Sequence, residues 1–345
     1  MKKKMILVLF MIFLCVCTCG DISDAKEKKF KRQDTKFTYA GKQMYETSQM
    51  YCTDNRKVQY MRYGYNYNKK CTEFQRDYIN GKKINRISLF KDRSFDTDEN
   101  FFAVRPLDDN DNLIIMTNIY EKKNKVYIKE YDKKGNIIFK YTDDKNLNNA
   151  FSLHGWDDGD NIYYTYVIMS RDENSYVVHT RSINKKNKKV KDMRSFKLNV
   201  KDIDFHTDAR IRIEKGKIYV LCKEKINVYS LNGKLLKTCG LPGGEREIRI
   251  DIVDGEEVIY LKFNHFSVCG NYVYYCNRNG IYRWNVKGSG GFKLYYNAEG
   301  DEYFGTEYGA VDICVKDKNT IYIMFEDIKD YNEFDGPSKI VRYSR

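Results

Sequence analysis

Six times along this 345-residue chain a polar turn opens into a run of β-branched and aromatic residues, and a second turn and another strand-like run follow at a nearly fixed offset. The opening turns read Thr53-Asp54-Asn55-Arg56, Asp109-Asn110-Asp111-Asn112, Asp158-Gly159-Asp160-Asn161, Glu214-Lys215-Gly216-Lys217, Gly270-Asn271 and Lys316-Asp317-Lys318-Asn319. The runs after them begin near Val58, Leu113, Ile162, Ile218, Tyr272 and Ile321, which gives steps of 55, 49, 56, 54 and 49 residues. So narrow a spread points to one supersecondary unit repeated six times.

Within a unit, one strand precedes the polar turn, a second follows it, a third closes near an aromatic residue, and a Gly or Asn turn leads into a fourth. The third-strand turns include Tyr78-Ile79-Asn80-Gly81, Tyr131 to Gly135, Tyr229 to Gly233 and Trp284 to Gly288. Glycine suits them because tight hairpins demand positive φ. Four strands make a blade, and six blades make an all-β, six-bladed β-propeller. The abundance of Tyr (30) and Phe (19) against three prolines agrees with pleated, half-buried surfaces. The last unit stops at Tyr343, at the end of its third strand, so an outer strand is missing there. An open edge invites aggregation. The piece Lys36 to Ala40 is expected to pair with Ile340 to Tyr343 and close the ring. Residues 247–262 form an additional hairpin outside the count, either an insertion or a seventh, degenerate blade.

Residues 1–19 combine a basic start, Lys2-Lys3-Lys4, with an apolar stretch from Met5 to Val16. That pattern is a secretory signal, too short to span a bilayer comfortably. The run Leu14-Cys15-Val16-Cys17-Thr18-Cys19-Gly20 resembles a bacterial lipoprotein signal ending at a lipidated cysteine, which would be Cys19. Thr18 stands where that family prefers Gly, Ala or Ser, so lipid anchoring and simple release both stay open. Residues 20–36 are charged and aperiodic, and read as a tether; 37–345 are the propeller. The chain is expected outside the cytoplasm, with contact to a membrane only through the lipid anchor.

The formal charge is +13, and the signal accounts for three of those charges, leaving +10. A basic exterior favours glycans, anionic envelope polymers or an acidic protein face as partners. Interspersed signs and a shared enrichment of Lys, Asn, Ile and Tyr also fit compositional bias alone. Nucleic acid is not expected, since no recognition helix, zinc finger or RNA-binding signature occurs.

Seven cysteines follow the signal, an odd number without Cys-x-x-Cys spacing. Cys222, Cys276 and Cys314 lie in apolar strand runs and read as small hydrophobes, and Cys52 with Cys71 is the one pair considered for a bridge. His154, His206 and His265 precede the second strands of blades three, four and five, at offsets that turn His154 and His265 to opposite sides and leave His206 in the loop before its strand. No metal or other cofactor is read from them. The acidic turns at 108–112 and 157–161 hold oxygen ligands of the kind calcium uses, but equally fit ordinary β-turns. No Gly-x-Ser-x-Gly elbow or His-Glu-x-x-His helix occurs, and no catalytic residue is assigned.

Blade five, Gly270 to Asn277 with Gly280 to Gly288, resembles a repeat of the six-bladed propellers whose signature is Tyr-Trp-Thr-Asp; Tyr274-Tyr275-Cys276-Asn277 stands at that position. The resemblance implies an extracytoplasmic six-bladed propeller, mostly used for binding and less often as a lyase or hydrolase. The loops joining second to third strands are read as short in blades four and five and longer in blades six, one and two. Tyr65, Tyr67, Lys69, Tyr120, Lys122, Tyr331 and Phe334 lie on those longer loops, as one rim of aromatic faces and lysines suited to sugars or peptides. A binding or scaffolding module at the cell envelope is the reading these features favour, with a carbohydrate-active enzyme as the alternative.

Overall fold

The structure, a computed structural model, describes residues 31–35, 47–52, 57–66, 68–93, 99–104, 112–119, 125–143, 150–170, 174–202, 211–243, 248–253, 256–261, 265–305, 308–327 and 339–345. It is a six-bladed β-propeller: six antiparallel four-stranded blades stand in a ring. Blade one is β2 (Thr47–Cys52), β3 (Val58–Asn66), β4 (Cys71–Asn80) and β5 (Lys83–Asp92). Blade two is β6 (Glu99–Val104), β7 (Leu113–Ile119), β8 (Val126–Tyr131) and β9 (Ile137–Asp143). Blade three is β10 (Ala150–Asp157), β11 (Asn161–Met169) and β12 (Ser175–Asn184), with its outer position shared by β13 (Val190–Asp192) and β14 (Phe196–Asn199). Blade four is β15 (Ile211–Glu214), β16 (Lys217–Leu221), β17 (Lys225–Ser230) and β18 (Leu235–Gly240). The pair β19 (Ile248–Val253) and β20 (Glu256–Leu261) forms a two-stranded hairpin outside the blades, so 247–262 is an insertion and not a seventh blade. Blade five is β21 (His265–Cys269), β22 (Tyr272–Asn277), β23 (Gly280–Asn285) and β24 (Lys293–Asn297). Blade six is β25 (Tyr308–Asp317), β26 (Thr320–Asp327) and β27 (Lys339–Ser344), completed by β1 (Lys31–Asp34) from the other end of the chain.

The core lies between blades, because successive residues of a strand face opposite sides of its sheet. In β16, Ile218 and Val220 pack toward blade three while Tyr219 and Leu221 pack toward blade five. Each of the six junctions has its own apolar cluster. Met61, Phe74, Leu113 and Tyr131 join blades one and two, and Met50, Tyr60, Tyr322 and Met324 join one to six. Two hairpin glycines belong to this packing as well as to their turns. A Cβ on Gly135 (φ 88°) would meet Phe90 of the preceding blade at 2.5 Å, and one on Gly233 (φ 73°) would meet the Arg194 carbonyl at 2.9 Å.

Carboxylates at the ends of outer strands add a polar link to the next blade. Asp92, ending β5, accepts from Tyr131 Oη at 2.7 Å and Lys129 Nζ at 2.9 Å, both on β8. Asp143, ending β9, accepts from Tyr164 and Arg181 of blade three. Asp301, just after β24, accepts from Tyr343 Oη at 3.1 Å and from Arg32 Nη1 at 3.1 Å.

Closure occurs as expected, but with a different segment. The strand on β27 is Lys31–Asp34, in register from Lys31 opposite Ser344 to Asp34 opposite Val341. It lies within the stretch read as tether, while Lys36 to Ala40 falls outside the described residues. The physical reason is that an outermost strand is held by backbone pairing. It needs no apolar period, and Lys-Arg-Gln-Asp suits an edge that must refuse further strands.

Starting the chain at Thr35 instead of Lys31 should lower the melting temperature by several degrees and raise the light scattering of the heated sample; coincident melting curves would show that β1 does not close the ring. A second expectation concerns alkaline pH. Burial pushes the phenols of Tyr166, Tyr219 and Tyr229 from about 10 up to about 12. A raised folded-state value favours the protonated form, so their contribution to stability is complete below about pH 10 and is lost as pH rises through about 12. Tyrosinate absorbance should therefore appear in two steps, the later one coinciding with unfolding.

Candidate functional site

Among the expected rim residues, Tyr65 lies near the end of β3, opposite Thr72, and Lys69 lies in the turn that follows. Lys69 is exposed and its Nζ meets Glu73 Oε1 at 3.0 Å. Burial opposes the charged form of Glu73, but Lys69, Asn66 and Lys91 outweigh it and lower its pKa. Tyr67, Tyr120, Lys122, Tyr331 and Phe334 lie outside the described residues, as does Cys19. The blade-one loop, expected from the sequence over Gly64 to Lys70, is shorter. Asn66 pairs with Cys71, so Gly64 to Asn66 belong to β3 and only 67–70 connect the strands. A flexible-looking Gly-Tyr-Asn stretch here continues a ladder because its partner Cys71-Thr72-Glu73 supplies the matching backbone groups.

The other candidates separate. His154 is on β10, His265 is buried on β21, and His206 is outside the described residues. Blades three and five are not neighbours, and among the described residues no group of three or more His, Cys, Asp or Glu side chains is placed to hold a metal. In the turn at 157–161, Asp158 Oδ1 accepts from the Asn161 amide at 2.7 Å and Asp157 Oδ1 from the Gly159 amide at 2.9 Å, so these carboxylates shape the turn. None of the seven described cysteines is in a disulfide. Cys52 stands opposite Val58 and Cys71 opposite Asn66, at the two ends of β3, which at ~3.3 Å per residue separates them by roughly 26 Å.

A polar constellation that no motif announced lies on the ring axis, where the inner strands β2, β6, β10, β15, β21 and β25 run. Arg212 of β15 extends past blade five and its Nη2 meets Asp312 Oδ1 of β25 at 3.0 Å. Blades four and six are separated by blade five, so their side chains meet only across the axis. The guanidinium passes over the Phe266 ring of β21, 5.7 Å from its centroid, and is 30% exposed. Asp312 is buried and also accepts from the amides of Met50 at 2.8 Å and Ile313 at 2.8 Å. One carboxylate thus ties three blades together at the axis. Arg212 has five N–H donors on a rigid fork, and the contact with Asp312 engages Nη2. The arrangement suits holding a carboxylate, phosphate or hydroxyl group beside the pair. The available sequence signal was a charged residue alternating with apolar ones on an inner strand, Ile211-Arg212-Ile213 and Val311-Asp312-Ile313.

No protein-family model matches the chain, and no curated protein matches it by sequence. The Tyr-Trp-Thr-Asp likeness of blade five therefore rests on its own residues. Solved structures do resemble the fold. The GH93 α-L-arabinofuranosidase of Fusarium graminearum, in complex with arabinobiose, has a TM-score of 0.50 at 9% identity, covering 90% of this chain and 97% of that one. A protein of unknown function from Dyadobacter fermentans has a TM-score of 0.47 at 9% identity, covering 92% and 98%. The β-propeller domain of the Trilobed protease from Pyrococcus furiosus has a TM-score of 0.42 at 14% identity, covering 89% and 94%. At 9% identity the arabinofuranosidase shares the fold alone with this chain.

Asp312→Ala should destabilise the protein more than Arg212→Ala, by about 3 kcal/mol or more against about 1.5 kcal/mol, because only the first leaves two backbone N–H groups without their acceptor. Urea unfolding of the two variants checks the order, and equal costs would mean that the amides find other partners.

Proposed function

We propose that the chain is an exported binding or scaffolding propeller of the cell envelope, its partner a glycan, an anionic envelope polymer or a protein with an acidic face. The rim carrying Tyr65, Tyr67, Lys69, Tyr120, Lys122, Tyr331 and Phe334 is its recognition surface, and the signal ending at Cys19 delivers it, by lipid anchor or release. One observation carries this reading. Blades six, one and two are consecutive in the closed ring, joined by the clusters around Tyr322 and around Phe74. The strand pairs that flank their connections at 328–338, 67–70 and 120–125, β26 with β27, β3 with β4 and β7 with β8, belong to these three blades, which supports reading the connections as one surface. Tyrosines on such a sector stack on sugars or peptide side chains, and lysines draw anions toward them.

The enzymatic alternative asks for two carboxylates facing a scissile bond. Asp312, the axial carboxylate described above, is instead held between Arg212 and two backbone amides. That placement favours a structural anchor over a general acid or nucleophile.

The test is binding of the purified chain, from Gly20 onward, to arrayed glycans and to anionic envelope polymers. Replacing Tyr65, Tyr67 and Tyr331 together by Ala should weaken capture by at least about tenfold while the melting temperature stays within about 1 °C, since a few aromatic anchors dominate such surfaces. Unaltered capture would reject the rim. Charge reversal at Lys69 and Lys122 should flatten the dependence of capture on salt.

A further inference from the structure

The junction between the first and last blades holds two thiols in register. The innermost strands β2 and β25 lie side by side there, and the Met50 amide donates to Asp312 Oδ2 at 2.8 Å. Two residues further along each strand come Cys52 and Cys314. The two-residue period of a strand returns both to the face that meets the other blade. Cys314 belongs to the apolar cluster of this junction, with Tyr60, Tyr322 and Met324, and Cys52 packs against that same cluster. Cys52 Sγ also donates to the Lys316 carbonyl of β25 at 3.9 Å, two residues past Cys314, so its side chain reaches over to the opposite strand.

We propose that Cys52 and Cys314 are joined by a disulfide that clasps blade one to blade six when the chain meets a thiol-oxidising environment. The ring would then be fastened at two radii, by β1 on β27 at the outer edge and by this bond beside the axis. The hydrogen bond between the two thiols, followed by burial, holds Cys314 well above the usual thiol range, so Cys314 is poorly reactive on its own. Cys52, which is only half-buried, starts the reaction. Its thiolate attacks one sulfur of an oxidant disulfide, such as an oxidised thiol–disulfide oxidoreductase or a low-molecular-weight disulfide, and releases the other sulfur as a thiolate. Cys314 then attacks the Cys52 sulfur of the mixed disulfide, its proton passing to the second departing thiolate. Two protein thiols lose two protons and two electrons, and one oxidant disulfide becomes two thiols.

The clasp goes beyond the binding reading and is independent of it, because the test involves no ligand. The folded chain is equilibrated with oxidised or reduced glutathione, its remaining thiols are blocked with N-ethylmaleimide, and the peptides are mapped by mass spectrometry. Oxidation should yield a peptide pair linked through Cys52 and Cys314, and the oxidised chain should melt about 5 °C or more above the reduced one, as expected for a bond that closes so long a loop. Both effects should persist in Cys71→Ser and vanish in Cys52→Ser. The natural chain decides the matter whether or not the variants fold. Alkylation of both Cys52 and Cys314 after oxidation, linkage of either to another cysteine, or a linked chain that melts no higher than the reduced one would each overturn the proposal.

Discussion

A four-stranded sheet whose two faces are both apolar has no core of its own, and in this protein every blade depends on the blade at either side. The alternation in β16, with Ile218 and Val220 serving one junction and Tyr219 and Leu221 the next, makes that dependence explicit. Burial of such side chains contributes roughly 25 cal/mol per Å² of apolar area removed from water. This term is realised only when the ring is complete, because an open ring would leave two apolar faces wet. The carboxylates ending outer strands serve the same geometry with direction added: Asp92, Asp143 and Asp301 each fix one blade's exit against a strand of the next. Hydrogen bonds to a charged acceptor contribute about 1.5–3 kcal/mol apiece and, unlike apolar contact, favour one register.

The closing strand concentrates these effects. Lys31–Asp34 pairs with β27, while Arg32 meets Asp301 and Glu302 and lies over the Tyr303 ring, 5.1 Å from its centroid. Asp301 also accepts from Tyr296 Oη at 2.7 Å, so blade five, the returning chain start and blade six share one carboxylate. At the inner side of the other face of blade six, Asp312 plays the corresponding part for blades four and one. The ring is thereby tied by buried acids on both flanks of its last blade, where chain connectivity alone would leave it weakest.

The same blade belongs to the sector proposed for recognition. A binding surface assembled from connections of three consecutive blades keeps its shape only if the junction between the first and last of them in sequence is firm. The closing strand, the axial pair and the cysteine pair all lie at or beside that junction, which would link the stability of the fold to the proposed use of its rim.

Blade count, strand order and the need for closure were legible in the residues because turn chemistry and a period of about fifty residues are local properties. Local periodicity also exposed the 247–262 hairpin, though only sheet pairing decided that it stands apart from the blades. The identity of the closing strand was hidden, since Lys31 to Asp34 pairs through backbone groups that every residue carries, and its charged side chains read as a tether. The blade-one loop was overestimated for a related reason: Gly64 to Asn66 extends the ladder because of what lies opposite. Arg212 with Asp312, and Cys52 with Cys314, were out of reach of any spacing argument. Each pair joins residues 100 or more positions apart in sequence, and only the curvature that bends six sheets into a ring brings them together. Local turn and strand chemistry sets the repeating unit, whereas which units and which side chains meet follows from how the whole ring closes, a property no single stretch of residues carries.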